Sequence, residues 1–376
     1  MKYLRTIEKY IIPQIDSNKA ILILGARRVG KTFLLNQISN SIDKDFIRLI
    51  GEEFTVMDLF RIENIQSIRN LIGEKKLLII DEAQKINNIG NIIKLLLDTN
   101  DKLTVILTGS SSFDLSNKFG EPLTGRKYSL ILYPFSQKEI NEKQSILETQ
   151  AQLEERLIFG SYPEILNINE IDNIKKYLNE LINDYLLKDI LNYENIRNSQ
   201  KIFNILKFIS YQVGSNVSLE EISKKVQISR NTVEKYIDIL CKVFILYKLS
   251  GFSRNLRSEI SKTSKYYFID NGIRNAIISN FNFTENRDDI GKLWENYIIS
   301  ERLKYLNNNN IFSNNYYWKN YDKQEIDWIE ERDGKLFAYE IKWKDNYYKF
   351  PKSFTENYPE SETKLINNSN YLEFIT

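Results

Sequence analysis

Gly25-Ala26-Arg27-Arg28-Val29-Gly30-Lys31-Thr32 fits the pattern G-x-x-x-x-G-K-[ST] at every fixed position. The apolar run Ala20–Leu24 precedes this stretch and predicts a buried strand, while residues 31–41 carry apolar side chains at helical spacing. Glycine at both ends of a loop lets successive backbone N–H groups point at one anion, and the start of the following helix adds to that field. The stretch therefore predicts a phosphate-binding loop between a strand and a helix.

The loop also predicts which groups hold a nucleotide. Lys31 would reach the β- and γ-phosphates of ATP, and the hydroxyl of Thr32 would hold Mg²⁺. The residues expected to surround the phosphates are Gly25, Ala26, Arg27, Arg28, Val29, Gly30, Lys31, Thr32 and Phe33. A plain glycine turn before an ordinary helix is the alternative, and the strand before the loop and the helix after it argue against that alternative.

An acidic pair follows another buried strand. The run Leu77-Leu78-Ile79-Ile80 ends in Asp81 and Glu82, which predicts two carboxylates at the carboxyl edge of a sheet, beside the phosphates. Asp81 is expected to bind Mg²⁺, and Glu82 is expected to polarise the attacking water as the catalytic base. The predicted activity is therefore ATP hydrolysis.

Two further positions resemble parts of AAA-type ATPases. A strand predicted over Leu103–Thr108 leads to Ser110, which resembles the sensor whose hydroxyl contacts the γ-phosphate or the attacking water. Thr108 is the second choice, and a serine-rich helix cap over residues 110–112 is the alternative. Arg126 lies in a Thr-Gly-Arg turn, placed as arginine fingers are in these proteins, with simple surface placement as the alternative. A finger that acts on a neighbouring subunit implies a homo-oligomer.

Composition restricts the function classes that remain. The chain has 376 residues, which suggests two to three domains, and a formal net charge of +2 gives no global basic field for nucleic acid. The absence of histidine excludes His-based triads and His metal ligands, and the single cysteine, Cys241, excludes a disulfide framework and a Cys zinc site. No apolar run approaches the ~18 residues needed to cross a bilayer, so we expect no membrane partner and a cytoplasmic location.

The middle of the chain predicts a helical connector followed by a winged helix. Residues 136–209 repeat apolar side chains at helical spacing, and residues 217–237 have the form of a helix-turn-helix capped by Ser218 and Ser229. Residues 201–265 contain twelve basic and five acidic side chains, which is the local field that duplex binding needs. The alternative to DNA binding is a rigid protein–protein adaptor. The expected DNA contacts are Lys225, Arg230, Asn231, Thr232 and Lys235.

Four residues near the C-terminus form a second candidate site. Asp327 lies on the first strand of a predicted hairpin, Glu340 and Lys342 share one face of the second strand, and Glu295 lies on a preceding predicted helix. Asp327, Glu340 and Glu295 would hold a divalent metal, and Asp327, Glu340 and Lys342 would orient a water near a phosphodiester. This set resembles the PD-(D/E)XK nuclease core, with Ile326 in place of the proline in that motif's name.

Six motifs spread over nearly the whole chain carry one resemblance. They are Gly25 to Thr32, Asp81-Glu82-Ala83-Gln84, Thr108-Gly109-Ser110, Thr124-Gly125-Arg126, Tyr267-Phe268-Ile269-Asp270-Asn271-Gly272, and Asp327 with Glu340-Ile341-Lys342. Together they resemble a prokaryotic family of AAA-type P-loop ATPases with a C-terminal domain of unknown function.

The expected fold class is multidomain α/β, in which an AAA/RecA-like parallel sheet carries helices on both faces. The predicted boundaries are 1–135 for the P-loop ATPase domain, 136–209 for the helical lid or connector, 210–270 for the winged helix and 271–376 for a small α/β nuclease-like domain.

The resemblance implies a Mg²⁺-dependent ATPase that acts on DNA, with branched or structured DNA among the candidate partners and a second Mg²⁺ or Mn²⁺ in a nuclease-like C-terminal domain. Two alternatives stay open. One is an ATP-dependent conformational switch whose winged helix binds a protein partner. The other keeps the ATPase and treats the C-terminal domain as a DNA-binding scaffold that does not cleave.

Overall fold

The structure is a computed structural model, and it describes residues 3–61, 65–99, 102–110, 122–184, 199–253, 264–344 and 347–376. The chain divides into two compact units. The N-terminal unit comprises Leu4–Pro134 and Lys242–Phe244, and the C-terminal unit comprises Met1–Tyr3, Phe135–Cys241 and Ile245–Thr376. The further division of the C-terminal unit into connector, winged helix and nuclease-like domain stays a prediction.

The N-terminal unit is built on a parallel sheet, which has five strands within the described residues, in the order β2-β3-β4-β1-β5. The strands are β1 (Ala20–Leu24), β2 (Phe46–Ile50), β3 (Leu77–Asp81), β4 (Thr104–Gly109) and β5 (Lys127–Ile131). The helices are α1 (Glu8–Ile11), α2 (Lys31–Ser41), α3 (Phe54–Leu59), α4 (Ile65–Ile72) and α5 (Ile89–Asp98). Successive residues of β1, β3 and β4 are buried alike, so both faces of the sheet are covered, as a parallel sheet between helices requires. The predicted P-loop α/β sheet is therefore confirmed.

The C-terminal unit has a mixed sheet, in which the described residues form seven strands in the order β12-β11-β10-β9-β7-β8-β6. These are β6 (Asn216–Val217), β7 (Leu246–Gly251), β8 (Ser264–Phe268), β9 (Asn314–Lys319), β10 (Glu325–Arg332), β11 (Lys335–Ile341) and β12 (Glu362–Ile366). The helices are α6 (Gln137–Asn141), α7 (Ile146–Ala151), α8 (Leu153–Phe159), α9 (Ile171–Asp184), α10 (Ser199–Tyr211), α11 (Leu219–Val226), α12 (Arg230–Lys242), α13 (Asn271–Ile277), α14 (Ile290–Asn308), α15 (Lys352–Asn357) and α16 (Tyr371–Ile375). No helix in the described ranges is long and apolar enough to cross a membrane.

Strand β7 joins two parts of the mixed sheet. It pairs antiparallel with β8 on one side and parallel with β9 on the other. Strands β10 and β11 form the predicted hairpin, in which Trp328 pairs with Tyr339, and β12 runs parallel to β11. As a result, β8 belongs to the same sheet as the strands that carry Asp327 and Glu340.

The turn before α13 is held by the buried carboxylate of Asp270. Its oxygens accept hydrogen bonds from the backbone N–H groups of Gly272 at 2.9 Å and Ser161 at 2.8 Å. Gly160 has a φ of 76°, and a Cβ atom there would lie 1.9 Å from Asp270 Oδ1. Asp270 is therefore the N-cap of α13. These contacts tie the end of α8 to the start of α13, and we assign the turn no chemistry.

Candidate nucleotide site and carboxylate cluster

The phosphate-binding loop leaves β1 at Leu24 and enters α2 at Lys31. Gly30 caps α2 with a φ of 94°, in the left-handed region that glycine adopts without strain. A Cβ atom on Gly25 would lie 2.2 Å from the carbonyl oxygen of Leu132. Both fixed glycines of the motif therefore occupy positions where a side chain would force the backbone to move.

The side chain of Lys31 is buried against the loop that precedes it. Its Nζ donates hydrogen bonds to the carbonyl oxygens of Gly25 and Ala26, each at 3.0 Å. A phosphate would offer Nζ a charged acceptor in place of these neutral carbonyls, and charge-assisted hydrogen bonds are about twice as strong as neutral ones. The ammonium group thus lies beside the loop atoms that the sequence predicts to surround a phosphate.

Asp81, at the carboxyl end of β3, is bracketed by two hydroxyl groups. Thr32 Oγ1 donates to Oδ2 at 2.7 Å, and Thr108 Oγ1 donates to Oδ1 at 2.5 Å. Arg48 lies 3.8 Å from Oδ2. The structure thus brings together Thr32 and Asp81, the two predicted Mg²⁺ ligands, and their oxygens are of the kind that Mg²⁺ prefers.

Gln84 contacts both the predicted base and the predicted sensor. Its Nε2 donates to Oε2 of Glu82 at 2.5 Å and to Oγ of Ser110 at 3.2 Å. Gln84 belongs to the motif Asp81-Glu82-Ala83-Gln84, but no role was predicted for it, because nothing in the sequence shows that its amide contacts the side chains of Glu82 and Ser110. Residues 111–121, which include most of the alternative serine-rich cap, lie outside the described residues.

Thr108 is fully buried and faces the acidic pair from the neighbouring strand. Besides its bond to Asp81, its hydroxyl accepts a hydrogen bond from the backbone N–H of Glu82 at 2.9 Å. This geometry suits a positioning residue, whereas half-buried Ser110 remains the first choice for the sensor.

Arg126 lies at the amino ends of the parallel strands, whereas the phosphate-binding loop lies at their carboxyl ends. Its carbonyl oxygen accepts a hydrogen bond from Ala20 N–H, at the start of β1, whereas the loop follows the end of β1. The five residues of β1 separate these two ends of the sheet by about 16 Å. The guanidinium is 42% exposed and pairs with Asp98. Within one subunit the structure therefore does not bring Arg126 to the loop, and the predicted finger requires a second subunit.

The second candidate site is assembled in the C-terminal unit. Lys342 Nζ donates to Oε1 of Glu340 at 2.5 Å and lies 4.0 Å from Oδ2 of Asp327. That Oδ2 accepts the backbone N–H of Ile341 at 3.0 Å. Glu295 reaches the same place from α14, because its Oε1 and Oδ1 of Asp327 lie 3.6 Å and 3.7 Å from the same Lys265 ammonium. All four predicted residues therefore meet, and we call them, with Glu325, Lys265 and Tyr267, the carboxylate cluster.

Three members of the carboxylate cluster, Glu325, Lys265 and Tyr267, were not predicted as site residues. Lys265 is 1% exposed, and its Nζ lies 2.5 Å from Glu325, 3.6 Å from Glu295 and 3.7 Å from Asp327. The hydroxyl of Tyr267 donates to Oε1 of Glu295 at 2.6 Å. Residues two apart on a strand share a face, so the spacing of Lys265 and Tyr267 was a usable signal, but the pairing that brings β8 to the cluster was not visible.

Burial and mutual repulsion perturb the cluster's pKa values. Burial, followed by the charge of Asp327, raises the pKa of Glu295 to about 7 and that of Glu340 to about 8. Burial opposes the charged form of Lys265, but the carboxylates of Glu295, Asp327 and Glu325 outweigh it and raise the Lys265 pKa above its usual value. Lys265 is therefore a permanent cation among acids.

The carboxylate cluster contains the type of oxygen ligand that a divalent metal prefers, but these oxygens are not arranged around one metal position. Carboxylate oxygens are hard ligands suited to Mg²⁺ or Mn²⁺. Yet among the described residues, no three acidic, histidine or cysteine side chains lie where they could together hold a metal ion. The Lys265 ammonium lies between the carboxylates of Glu295, Glu325 and Asp327.

The helix-turn-helix segment forms α11 and α12, capped as predicted. Ser218 Oγ accepts the backbone N–H of Glu221 at 3.3 Å, and Ser229 Oγ accepts that of Thr232 at 3.1 Å. The turn side chains are half-buried or exposed, whereas the apolar positions face inward. Of the expected DNA contacts, the exposed ones are Lys225, Arg230, Asn231 and Lys235, and Thr232 is half-buried.

Three family models match separate parts of the chain. Residues 17–141 match an AAA domain, residues 150–284 match a domain of unknown function (DUF8612), and residues 290–372 match another domain of unknown function (DUF4143). An uncharacterized protein of Methanocaldococcus jannaschii is 28% identical over 330 residues, covering 82% of this chain and 71% of the relative. An uncharacterized protein of Haemophilus influenzae is 24% identical over 383 residues, covering 96% and 89%.

One solved structure, a Walker-type ATPase of Pyrococcus abyssi, covers 74% of this chain and 96% of its own at a TM-score of 0.51. Its 17% identity makes this a likeness of fold. The AAA match covers both acidic residues and the whole phosphate-binding loop. Residues 17–141 thus form an AAA-type P-loop ATPase domain, and the predicted C-terminal domain of unknown function is confirmed at residues 290–372.

Proposed function

We propose that this chain is a Mg²⁺-dependent ATPase that acts on DNA. The main support for ATP hydrolysis is the position of three side chains at the carboxyl ends of a parallel sheet. Thr32 donates a hydrogen bond to Asp81, and the Lys31 ammonium lies against the adjoining phosphate-binding loop. Bound Mg²⁺ would neutralise phosphate charge, with Thr32 and Asp81 as the groups that hold it. Lys31 binds the β- and γ-phosphates through its ammonium group.

Glu82 acts as the base that takes a proton from the attacking water at Oε1 or Oε2. Gln84 orients it, because one amide bonds both the Glu82 carboxylate and the Ser110 hydroxyl. A γ-phosphate that binds the Ser110 hydroxyl would therefore change the orientation of the Glu82 carboxylate through Gln84. Thr108 holds the backbone N–H of Glu82 and the carboxylate of Asp81 in position through its hydroxyl group.

Arg126 completes the site of a neighbouring subunit in a homo-oligomer. Its position at the far edge of its own sheet and its partly exposed side chain support a role in trans. The side chain must leave Asp98 to reach a phosphate on another chain.

DNA engagement is assigned to α11 and α12. Four exposed polar or basic side chains on these helices support it, as does the local excess of basic residues over 201–265. Helices α10, α11 and α12 are followed by the antiparallel strands β7 and β8, which is the element order expected of a winged helix.

Cleavage of DNA by the carboxylate cluster is supported by the approach of Asp327, Glu340 and Lys342. In that proposal Lys342 binds the scissile phosphate, and the acids orient a water. A specific observation favours a second candidate, in which the domain binds structured DNA without cutting it. The buried Lys265 lies where the acids would otherwise face a metal.

The deciding experiment measures ATP turnover by the full chain alone and with single-stranded, duplex and branched DNA, with Lys31→Ala as the blank. DNA-stimulated turnover supports action on DNA. Slow turnover that no DNA form changes would instead support the conformational switch with a protein partner.

A nicking assay on supercoiled DNA with Mn²⁺ then separates cleavage from scaffolding. Glu340→Ala should abolish nicking and preserve ATP turnover. Glu362→Ala is the matched control, because Glu362 is an exposed acid on β12 of the same sheet. Nicking that persists in Glu340→Ala, or none in the unmodified protein, leaves the scaffold as the better assignment.

A further inference from the structure

Lys265 carries its charge at a position where burial alone would disfavour a charged group. A lysine ammonium that is almost fully excluded from solvent is stable only where opposite charges replace its hydration. Here three carboxylates do so within 4 Å: Glu325 at 2.5 Å, Glu295 at 3.6 Å and Asp327 at 3.7 Å. The ring of Tyr317 lies 5.4 Å from the same nitrogen and adds a favourable π face.

The oxygens divide into two sets. Oδ2 of Asp327 faces Ile341 and Lys342, and Oε1 of Glu340 bonds Lys342. The other oxygen of Asp327, Oδ1, faces Lys265, as does Oε1 of Glu295. A metal that bridges Asp327 and Glu295 from this side would need Oδ1 of Asp327 and Oε1 of Glu295. Lys265 therefore competes directly with a metal for the ligands that the sequence predicts.

Glu340 supplies an independent observation. The residue is 4% exposed, and its buried Oε2 accepts no short hydrogen bond from the described residues, although the Tyr348 phenol interacts with the same carboxylate. Buried acceptors without a partner are rare in folded proteins because they lose their hydration without compensation. A cation or a further donor beside Oε2 would replace that lost hydration.

We infer that Lys265 is the resident cation of the carboxylate cluster and that it keeps divalent metal out until its ammonium group leaves. The inference rests on the proposed metal-binding use of Glu295, Asp327 and Glu340. A metal bound to carboxylate oxygens at about 2.0–2.2 Å would lie within a few ångströms of Nζ, where two positive charges repel strongly in a site excluded from water.

The test measures Mn²⁺ binding, by the loss of the free-ion EPR signal, to the full chain without nucleotide or DNA. Asp81→Asn is the parent, since it removes the carboxylate of the nucleotide site. Adding Lys265→Met retains an apolar side chain of similar length, and it should increase Mn²⁺ affinity at the cluster at least about tenfold, because one buried charge is removed.

Lys319→Met is the matched control. Lys319 pairs with the same Glu325 at 2.8 Å, but its side chain is 35% exposed and it does not contact Glu295 or Asp327 in the described structure. It should leave Mn²⁺ affinity within about twofold, since solvent screens an exposed charge. An equal gain in both lysine variants would overturn the assignment to Lys265.

Lys265→Gln covers the case in which Lys265→Met does not fold. This change also removes the ammonium charge, but its amide can still donate hydrogen bonds to the carboxylates, so it should raise Mn²⁺ affinity by a smaller factor. If the parent binds Mn²⁺ at the cluster and neither Lys265→Met nor Lys265→Gln binds it more tightly, the inference fails while the proposed metal site survives. If no folded variant binds Mn²⁺, the proposed metal site fails as well.

Discussion

The Thr108 hydroxyl donates a 2.5 Å hydrogen bond to Oδ1 of Asp81, from a neighbouring strand of the parallel sheet. The same oxygen of Thr108 accepts the backbone N–H of Glu82. One buried hydroxyl thus sets the position of both acidic residues. In parallel strands the carboxyl ends meet at one edge, so this contact follows from the strand order in which β3 and β4 are neighbours.

Thr108→Val should lower the ATP turnover number by about tenfold or more, because it leaves the Glu82 N–H and one Asp81 oxygen without partners, at about 1–3 kcal/mol for each buried group. Valine keeps the shape of threonine, so the sheet should fold. Thr104→Val is the matched control, since Thr104 is equally buried on β4 but bonds Asp16 at the other edge. Turnover unchanged in Thr108→Val, or reduced equally in both variants, would contradict the positioning role.

Lys31→Ala and Glu82→Gln should separate binding from chemistry. Lys31→Ala removes the phosphate cation and should weaken ATP binding, measured by titration with a fluorescent ATP analogue. Glu82→Gln keeps the hydrogen-bonding shape and should preserve binding, while turnover falls by roughly 10²- to 10⁴-fold for the loss of a positioned base. Turnover at the unmodified rate in Glu82→Gln would show that another group activates the water.

Arg126→Ala tests whether a second subunit completes the site. Loss of an arginine finger should lower turnover by about 10³-fold or more, and turnover per subunit of the unmodified protein should rise with protein concentration. Asp98→Ala serves as the control, because it removes the partner of Arg126 and leaves the guanidinium in place. Specific activity that stays flat across the concentrations at which the protein associates would remove this role.

The carboxylate cluster should make stability depend on pH. Burial and Asp327 raise the pKa of Glu340 to about 8, above the value near 4.3 of an unfolded chain. The folded state then holds more protons between those values, so the stabilisation is present at low pH and lost as pH rises through about 8. Urea unfolding should show the free energy of unfolding falling between pH 5 and pH 8, and Glu340→Gln should fall less steeply. Parallel pH profiles would contradict the raised pKa.

Local motifs predicted which residues meet at the candidate nucleotide site, for a physical reason. Gly25, Lys31 and Thr32 lie in one short loop, and Asp81 ends a buried strand, so a parallel sheet brings them to one edge whatever the details of the fold. The contacts of Gln84 and Thr108 were beyond this reasoning, because they depend on side-chain rotamers and on which strand lies next to β3.

The carboxylate cluster shows the limit more clearly. Glu340 and Lys342 were placed correctly because they are two apart on one strand, and Asp327 followed from a hairpin. Lys265 and Tyr267 come from a strand about sixty residues earlier in the chain. They reach the cluster because β7 pairs with both β8 and β9, and the pairing of distant strands leaves no local pattern in a sequence.

DNA binding by α11 and α12 should be electrostatic and therefore sensitive to salt. Lys225 and Lys235 are exposed, and each phosphate contact adds about 0.9 to the slope of log affinity against log salt concentration for duplex DNA. Lys225→Gln and Lys235→Gln should each weaken binding to all sequences alike and reduce that slope by about one. Lys364→Gln is the matched control, because Lys364 is an exposed lysine on β12 that pairs with Glu373. Fluorescence anisotropy of labelled duplex DNA at several salt concentrations gives the slopes. Equal slopes in the unmodified protein, Lys225→Gln and Lys235→Gln would assign these helices to a protein partner, since a surface that meets no phosphate releases no counterions.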